Sequence, residues 1–407
     1  MSDTRQTYYR ASLGLKGEIA GAVAEDYHSA LIDALCASDF SIKLGDLTFH
    51  LAKDFGFCYG VDKAIDMAYE ARRKFPDHRL FLLTELIHNP RVNRRMLDMG
   101  IIFLSGQYKH ESLTFDDIGP EDVVVVPAFG TAHKELEQLR QRGCIIVDTT
   151  CGSVVHVWKR VEKYARDGLC SLVHGKHYHE ETIATVSQAT KEGGHFLVVR
   201  DKPEAQRVCD FIRGSLAAKD LMDGFHPHAS SVGLEPETHL HRIGVANQTT
   251  MLATESLEIA RMVGEALQDR HGDADSKDRF RSFDTICSAT QDRQDAMLAL
   301  VRDKHIDLML VVGGFNSSNT GHLLAMAASA CPAWHIEDAS DLLSADEIRH
   351  LPLKGKEPRV DRGWLPTGPL NVGLTAGAST PNRALADTMA RLLGLRGVDP
   401  AEALARL

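Results

Sequence analysis

The chain is poor in aromatic residues, which make up 6% of its 407 positions, and it has no apolar run long enough to cross a bilayer. No membrane partner is therefore expected. The first ten residues, MSDTRQTYYR, lack the apolar stretch of a secretory signal, so the protein is expected in the cytoplasm. Clustered Lys/Arg runs are also missing, and the formal net charge is −10. A nucleic-acid interface needs a basic stripe, so small molecules or proteins are the expected partners. Anion binding must then rely on local donors and not on the overall field. No two cysteines are spaced as CxxC, which argues against a zinc ribbon or a ferredoxin-type string. Eight cysteines in a cytoplasmic chain do not point to disulfides. Cys36, Cys144, Cys170, Cys209 and Cys331 read as small buried hydrophobes.

What is present is a repeat of order, met three times. A strand-like run, GDLTFHLA (45–52), leads to Cys58. A helix follows with Val61, Ala64, Ile65 and Ala68 at helical spacing, and the strand LFLLTELI then ends at His88 and Asn89. CIIVD (144–148) leads to Cys151, a helix with Val154, Val157, Trp158 and Val161, and the strand CSLVHG, which ends near His177, His179 and Glu181. FRSFDTI (280–286) leads to Cys287, a helix, and the strand DLMLVVGG, which ends at Asn316, Ser317, Ser318 and Asn319. Positions 88, 179 and 316 follow the cysteines at 58, 151 and 287 by 30, 28 and 29 residues. Each copy closes with a helix, a strand (MGIIFL, HFLVV or WHIE) and a last strand with a polar end: VVVVPAFGT, IGVANQTT or NVGLTAGAST.

Alternating strands and helices imply parallel sheets with right-handed crossovers. The chain reads as α/β, with three similar lobes of parallel sheet around a pseudo-threefold axis. Each lobe faces the centre with one cysteine and two polar loops. The expected boundaries are an N-terminal extension 1–44, helical from Ala22 to Leu35, and a first lobe 45–151 with its leading strand. A second lobe spans 152–286, and a third lobe with a C-terminal tail spans 287–407. Residues 214–240 read as a long surface insertion rich in turn formers.

Each of the three cysteines falls between a strand end and a helix start, where unpaired N–H groups and the helix dipole suit a thiolate. Thiolates bind soft metals and iron–sulfur clusters. Three separate segments giving one thiolate each fit a [4Fe–4S] cluster with one iron lacking a protein thiolate, open to a substrate oxygen. Zinc with three thiolates and a water is the minor alternative. The polar clusters suit an anion: Asn316 to Asn319 open a helix, Ser379, Thr380 and Pro381 make a second helix start, and His88 and His179 offer donors. Taken singly, such residues are more often caps or structural histidines. Their recurrence beside the cysteines is what raises them.

The segments GFCYGVDKA, ELIHNPRV, DTTCGSVV, HYHEETIAT, NQTT, DTICSATQDRQ, GGFNSSNT and GLTAGASTP occur in order across roughly residues 45–395. Together they resemble the 4-hydroxy-3-methylbut-2-enyl diphosphate reductase family, in its longer branch found in cyanobacteria and plastids. The resemblance implies a three-lobed fold around a central [4Fe–4S] cluster held by Cys58, Cys151 and Cys287. It implies a diphosphate bound by His88, His179, Ser317, Asn319 and Ser379, with Asn89 and Ser318 at matching substrate-contacting places. Glu181 is the implied proton donor, and Thr249 is implied to position the substrate hydroxyl. Many members carry Ser-Ala-His-Gly where this chain has Pro127-Ala128-Phe129-Gly130. Phe129 cannot donate to a phosphate, and His133 or Thr131 are the residues nearby that could.

The implied reaction is reductive removal of the hydroxyl of (E)-4-hydroxy-3-methylbut-2-enyl diphosphate, giving isopentenyl and dimethylallyl diphosphates. This is the last step of the non-mevalonate isoprenoid pathway. No dinucleotide fingerprint accompanies the fold, so the resemblance implies a ferredoxin or flavodoxin as electron donor. A non-redox three-cysteine cluster enzyme of the quinolinate synthase type, and a metal-binding relative without activity, are the competing readings.

Overall fold

The structure is a computed structural model, described for residues 7–283, 285–355 and 357–400. Residues 1–6 of the expected extension, Asp284 in the run before Cys287, and 401–407 of the expected tail lie outside the described residues. The chain forms two compact units. One comprises Leu113–Cys287 with the N-terminal residues up to Arg10, and the other comprises Ala11–Ser112 with the chain from Ser288 onward. Among the described residues no helix is long and apolar enough to cross a membrane.

In the first unit, four parallel strands run in the order Phe280–Ser282, Ile243–Asn247, Cys170–His174, Phe196–Val199. A second run places Tyr8–Tyr9, Ile145–Asp148 and Val123–Val126 side by side, also parallel. Val123 to Val126 are all buried, as expected of a parallel strand covered on both faces. Helices Lys202–Arg213 and Ala253–Arg279 bury Val208, Cys209, Ile259 and Val263 against Leu172, Leu197 and Val245. Gly272, with φ 78°, breaks the second of these helices.

In the second unit, the strand order is Ala333–Ile336, Leu308–Val312, Leu370–Ala376, Leu47–Leu51, Ser41–Leu44. The first four are parallel. The last is antiparallel, a hairpin partner that the alternation of strands and helices did not announce. Leu80–Leu82 pairs in parallel with Ile101–Phe103, and Glu347–His350 with Arg359–Arg362 forms a separate antiparallel ribbon. Leu308 to Val312 are fully buried: Leu308, Leu310 and Val312 pack in one cluster with Leu385, Met389 and Leu392 of the helix Asn382–Leu395, and Met309 and Val311 in another with Leu323 and Ala327.

One connection recurs three times. The strand leading to Cys151 (Ile145–Asp148) pairs with Val123–Val126, and the strand leading to Cys287 (Phe280–Ser282) pairs with Ile243–Asn247. The strand leading to Cys58 (Leu47–Leu51) pairs with Leu370–Ala376. Each leading strand therefore lies beside the closing strand of another copy, and for Cys58 that copy is the last in sequence.

Several local expectations change. LFLLTELI supplies only the three-residue strand Leu80–Leu82, and the chain bends from Leu83 onward. The extension carries two helices, Lys16–Tyr27 and Ala30–Ala37, with a break at His28 and Ser29. Pro381 caps its helix from outside, and the first helical residue is Asn382. Segment 214–240 is not a simple surface loop. It holds the helices Ala218–Asp223 and Pro236–His239, and it buries Leu221, Ala229 and Leu240 in the unit's core clusters.

Candidate active site

The three cysteines are set in the same way. Cys58 and Cys151 are the N-cap residues of helices Tyr59–Lys74 and Gly152–Arg166, and Cys287 directly precedes the helix Ser288–Asp303. The backbone N–H of each donates to the carbonyl two residues past the end of the neighbouring closing strand. Cys151 donates to Ala128 at 3.0 Å, Cys287 to Thr249 at 3.3 Å and Cys58 to Ala378 at 3.2 Å. All three cysteines are half-buried. Of the other five, Cys144, Cys170 and Cys209 are buried, and Cys36 and Cys331 are half-buried away from these helix starts. Burial pushes the thiols of Cys144 and Cys209 up to about 11 and that of Cys170 up to about 12, and it also raises Cys36 and Cys331. Three half-buried sulfurs at equivalent helix starts form a donor set that fits a thiolate-bound cluster.

In the second unit the turn before Cys58 is clamped. Gly56 has φ 76°, a conformation that glycine adopts without strain, and a Cβ there would lie 2.6 Å from Asn382 Oδ1. The buried guanidinium of Arg293 donates to Gly56 O at 2.7 Å and to Ala289 O at 2.7 Å in its own helix. The peptide of Ala378 that accepts from Cys58 donates its N–H to Asn319 Oδ1 at 3.0 Å. Asn319 is 2% exposed, and its Nδ2 has no hydrogen-bond partner among the described residues. A buried amide left so costs free energy unless a ligand accepts from it. Ser317 caps the helix Ser318–Ala328 by accepting from Thr320 N at 3.3 Å, and Ser318 is that helix's first residue. Ser379 donates to the backbone carbonyl of His88 at 3.1 Å. Gly314 also packs there, since a Cβ would lie 2.5 Å from the same oxygen.

His88 is held by a buried carboxylate. Its Nδ1 lies 3.2 Å from Glu85 Oε2, which also accepts from Asn316 Nδ2 at 2.9 Å, while Gln107 donates to Glu85 Oε1 at 2.9 Å. Asn316 Nδ2 also lies 3.1 Å from His88 Nδ1, so the carboxylate and the amide together fix the ring's orientation. Asn89 is nearly fully buried and caps the helix Pro90–Asp98, with Oδ1 accepting from Val92 N at 3.2 Å. That cap is its observed role.

In the first unit, His179 caps the helix Glu180–Lys191. Its Nδ1 accepts from Glu181 N at 3.2 Å, which puts the neutral ring's proton on Nε2. Glu181 is 2% exposed, and its Oε1 accepts from Thr249 N at 2.6 Å. Thr249 is therefore joined to both Glu181, through its N–H, and Cys287, through its carbonyl. Gln248 stiffens the same turn: its Oε1 accepts from Lys176 N at 3.1 Å and from Thr182 Oγ1 at 3.2 Å. Phe129, next to the carbonyl that holds Cys151, presents its ring to His179 edge to face at 5.7 Å and 83°. Thr131 donates to Glu135, and the His133 ring pairs with Glu137 at 3.4 Å, so both have partners on their own helix segment.

Cys58, His88, Ser317, Asn319 and Ser379 are thus linked within one unit, and Cys151, His179, Glu181, Thr249 and Cys287 within the other. From the sequence Asn316 is expected only as part of an anion-binding helix start, and Glu85, Arg293 and Gln248 have no expected role. Glu85 and Gln248 lie in the polar runs that follow strands, whereas Arg293 lies inside the helix after Cys287.

Residues 49–393 match the model of a family described as LytB protein. A 4-hydroxy-3-methylbut-2-enyl diphosphate reductase of Gloeobacter violaceus is 43% identical over 396 residues, covering 97% of this chain and 94% of the relative. One of Picosynechococcus is 42% identical, covering 95% and 94%. Among solved structures, one titled as the (E)-4-hydroxy-3-methyl-but-2-enyl diphosphate reductase, the terminal enzyme of the non-mevalonate pathway, aligns with a TM-score of 0.52. It is 23% identical and covers 85% of this chain and 99% of its own. The Plasmodium falciparum reductase structure aligns with a TM-score of 0.59 at 20% identity, covering 85% and 87%. These two likenesses concern the fold.

Proposed function

Because the chain belongs to the LytB family of 4-hydroxy-3-methylbut-2-enyl diphosphate reductases, we propose that it catalyses the reductive dehydroxylation that ends the non-mevalonate isoprenoid pathway. The observation that carries the reading is the threefold recurrence of one cysteine setting, with an N–H bond from each cysteine to a closing-strand loop. This recurrence supports three lobes about a pseudo-threefold axis, with boundaries near 45, 152 and 287. A [4Fe–4S] cluster on Cys58, Cys151 and Cys287, with one iron lacking a protein thiolate, would supply two electrons singly.

The remaining work falls to the chain's own side chains. The substrate's diphosphate is held by His88, Ser317, Ser318, Asn319 and Ser379, with His179 donating through Nε2 and Asn89 fixing its helix start. Asn319 Nδ2 supports this, being a buried donor that a phosphate oxygen would satisfy. The reaction consumes the allylic alcohol, two electrons and two protons, and it yields water and an allylic or isomeric five-carbon diphosphate. Glu181 gives one proton to the departing hydroxyl oxygen, and Thr249 orients that hydroxyl. Because Glu181 Oε1 accepts from Thr249 N–H, the proton to be transferred resides on Oε2.

The electrons come from a small carrier protein of the ferredoxin or flavodoxin type, and the enzyme works in the cytoplasm. The test is anaerobic incubation of the iron-loaded protein with (E)-4-hydroxy-3-methylbut-2-enyl diphosphate and a reduced viologen dye. Isopentenyl and dimethylallyl diphosphates are the expected products. Unchanged substrate over iron-loaded protein contradicts the reading.

A further inference from the structure

The N-terminal segment carries none of the residues used above, yet it reaches the turn that presents Cys151. Strand Tyr8–Tyr9 pairs in parallel with Ile146 and Val147, one residue short of Asp148. The Tyr8 hydroxyl donates to Asp148 Oδ2 at 2.5 Å, and Arg10 Nε lies 3.8 Å from the same oxygen. The other carboxylate oxygen folds the following turn: Asp148 Oδ1 accepts the Thr150 N–H at 3.0 Å and also the Thr150 hydroxyl. Cys151 is the next residue, and its own N–H is tied to Ala128. Asp148 is 3% exposed, so both of its oxygens depend on protein donors. The Tyr8 ring is fixed by the strand pairing and by the Arg140 guanidinium, 5.4 Å from its centroid. Burial and the bond to Asp148 push the phenol up to about 12, so it remains a donor at neutral pH.

We propose that Tyr8 is a positioning residue for Cys151. Its hydroxyl fixes the Asp148 carboxylate that shapes the turn 148–151, and so sets how firmly this thiolate holds iron. Supporting groups of this kind commonly tune metal sites they do not touch. The inference rests on the reading of Cys151 as a cluster ligand, and it gives the N-terminal segment a task in the reaction.

The test compares full-length wild type, Tyr8→Phe, Asp148→Asn and the double variant, each loaded anaerobically with iron and sulfide. The readouts are the rate of iron release to a ferrous chelator and the electron paramagnetic resonance spectrum of the reduced protein. Losing one part-buried hydrogen bond to a buried carboxylate predicts iron release about fivefold faster in Tyr8→Phe, with shifted g values. It also predicts a double variant no faster than Asp148→Asn alone. Wild-type release and spectrum in a folded Tyr8→Phe overturn the proposal, even if its melting temperature falls. Failure of both single variants to fold makes the contact merely structural and overturns it too. A wild-type chain that takes up no iron instead sinks the cluster reading itself.

Discussion

Glu181 Oε1 accepts the backbone N–H of Thr249 at 2.6 Å, and the carbonyl of that same residue holds Cys287. Asn319 does the same in the other unit: it accepts from Ala378, whose carbonyl holds Cys58. Both side chains stand two residues past a helix N-cap, His179 and Ser317 respectively. One scaffold position thus carries a carboxyl group in one copy and an amide in another. In the proposed reaction the first transfers a proton and the second holds a phosphate.

Glu181→Gln keeps the carbonyl oxygen that Thr249 needs and replaces the acidic oxygen with NH2. The variant should bind iron like wild type and lose turnover by about 10²- to 10⁴-fold, the usual worth of a general acid. Iron content measured beside dye-coupled turnover checks this, and near-wild-type turnover would remove Glu181 from proton transfer.

Asn319→Asp retains the acceptor for Ala378 but replaces the buried donor with a charge that repels phosphate. Its KM should rise more than that of Asn319→Ala, for which about a tenfold rise is expected from one lost hydrogen bond to a charged group. Steady-state kinetics of the two variants decide it, and the reverse order would place the diphosphate elsewhere.

The Phe129 and His179 rings meet edge to face. Phe129→Ala should raise KM by about three- to tenfold through loss of this aromatic contact, without loss of iron. An unchanged KM would mean that His179 needs no such support.

The fold was legible where a residue's neighbours in sequence decide its structure. Cys58, Cys151 and Cys287 stood out because a strand, a cysteine and a helix followed one another at matched intervals, and all three helix starts are present. The caps Asn89, His179 and Ser317 fell in the expected polar clusters for the same reason. Contacts between distant segments were not legible. Nothing near Leu47 reveals that Leu47–Leu51 pairs with Leu370–Ala376, 323 positions later at Leu47↔Leu370. Nor does the isolated acid Glu85 announce that it will hold His88, Asn316 and Gln107 together. Segment 214–240 reads as loose because turn formers are spread along its whole length, but a few of its apolar residues, Leu221 among them, are enough to pin it to the core.

His174 and His335 are buried, and desolvation holds both imidazoles down to about 4. In the unfolded chain they titrate near about 6.5. Between these values the unfolded state binds more protons, so stability is complete above about 6.5 and declines as pH falls toward about 4. Melting temperatures across that window should fall, and His335→Gln should flatten the slope. An equally steep slope in the variant would assign the acid sensitivity to other groups.

The central claim, that the three equivalent cysteines serve a reduction, is tested most directly by electron stoichiometry. Iron-loaded protein, the hydroxylated diphosphate and a one-electron viologen dye are mixed anaerobically, and dye oxidised is compared with substrate consumed. The account predicts two dye equivalents for each substrate converted to a five-carbon diphosphate. Substrate consumed without dye oxidation would contradict it, and would point to a cluster enzyme that removes water without net reduction.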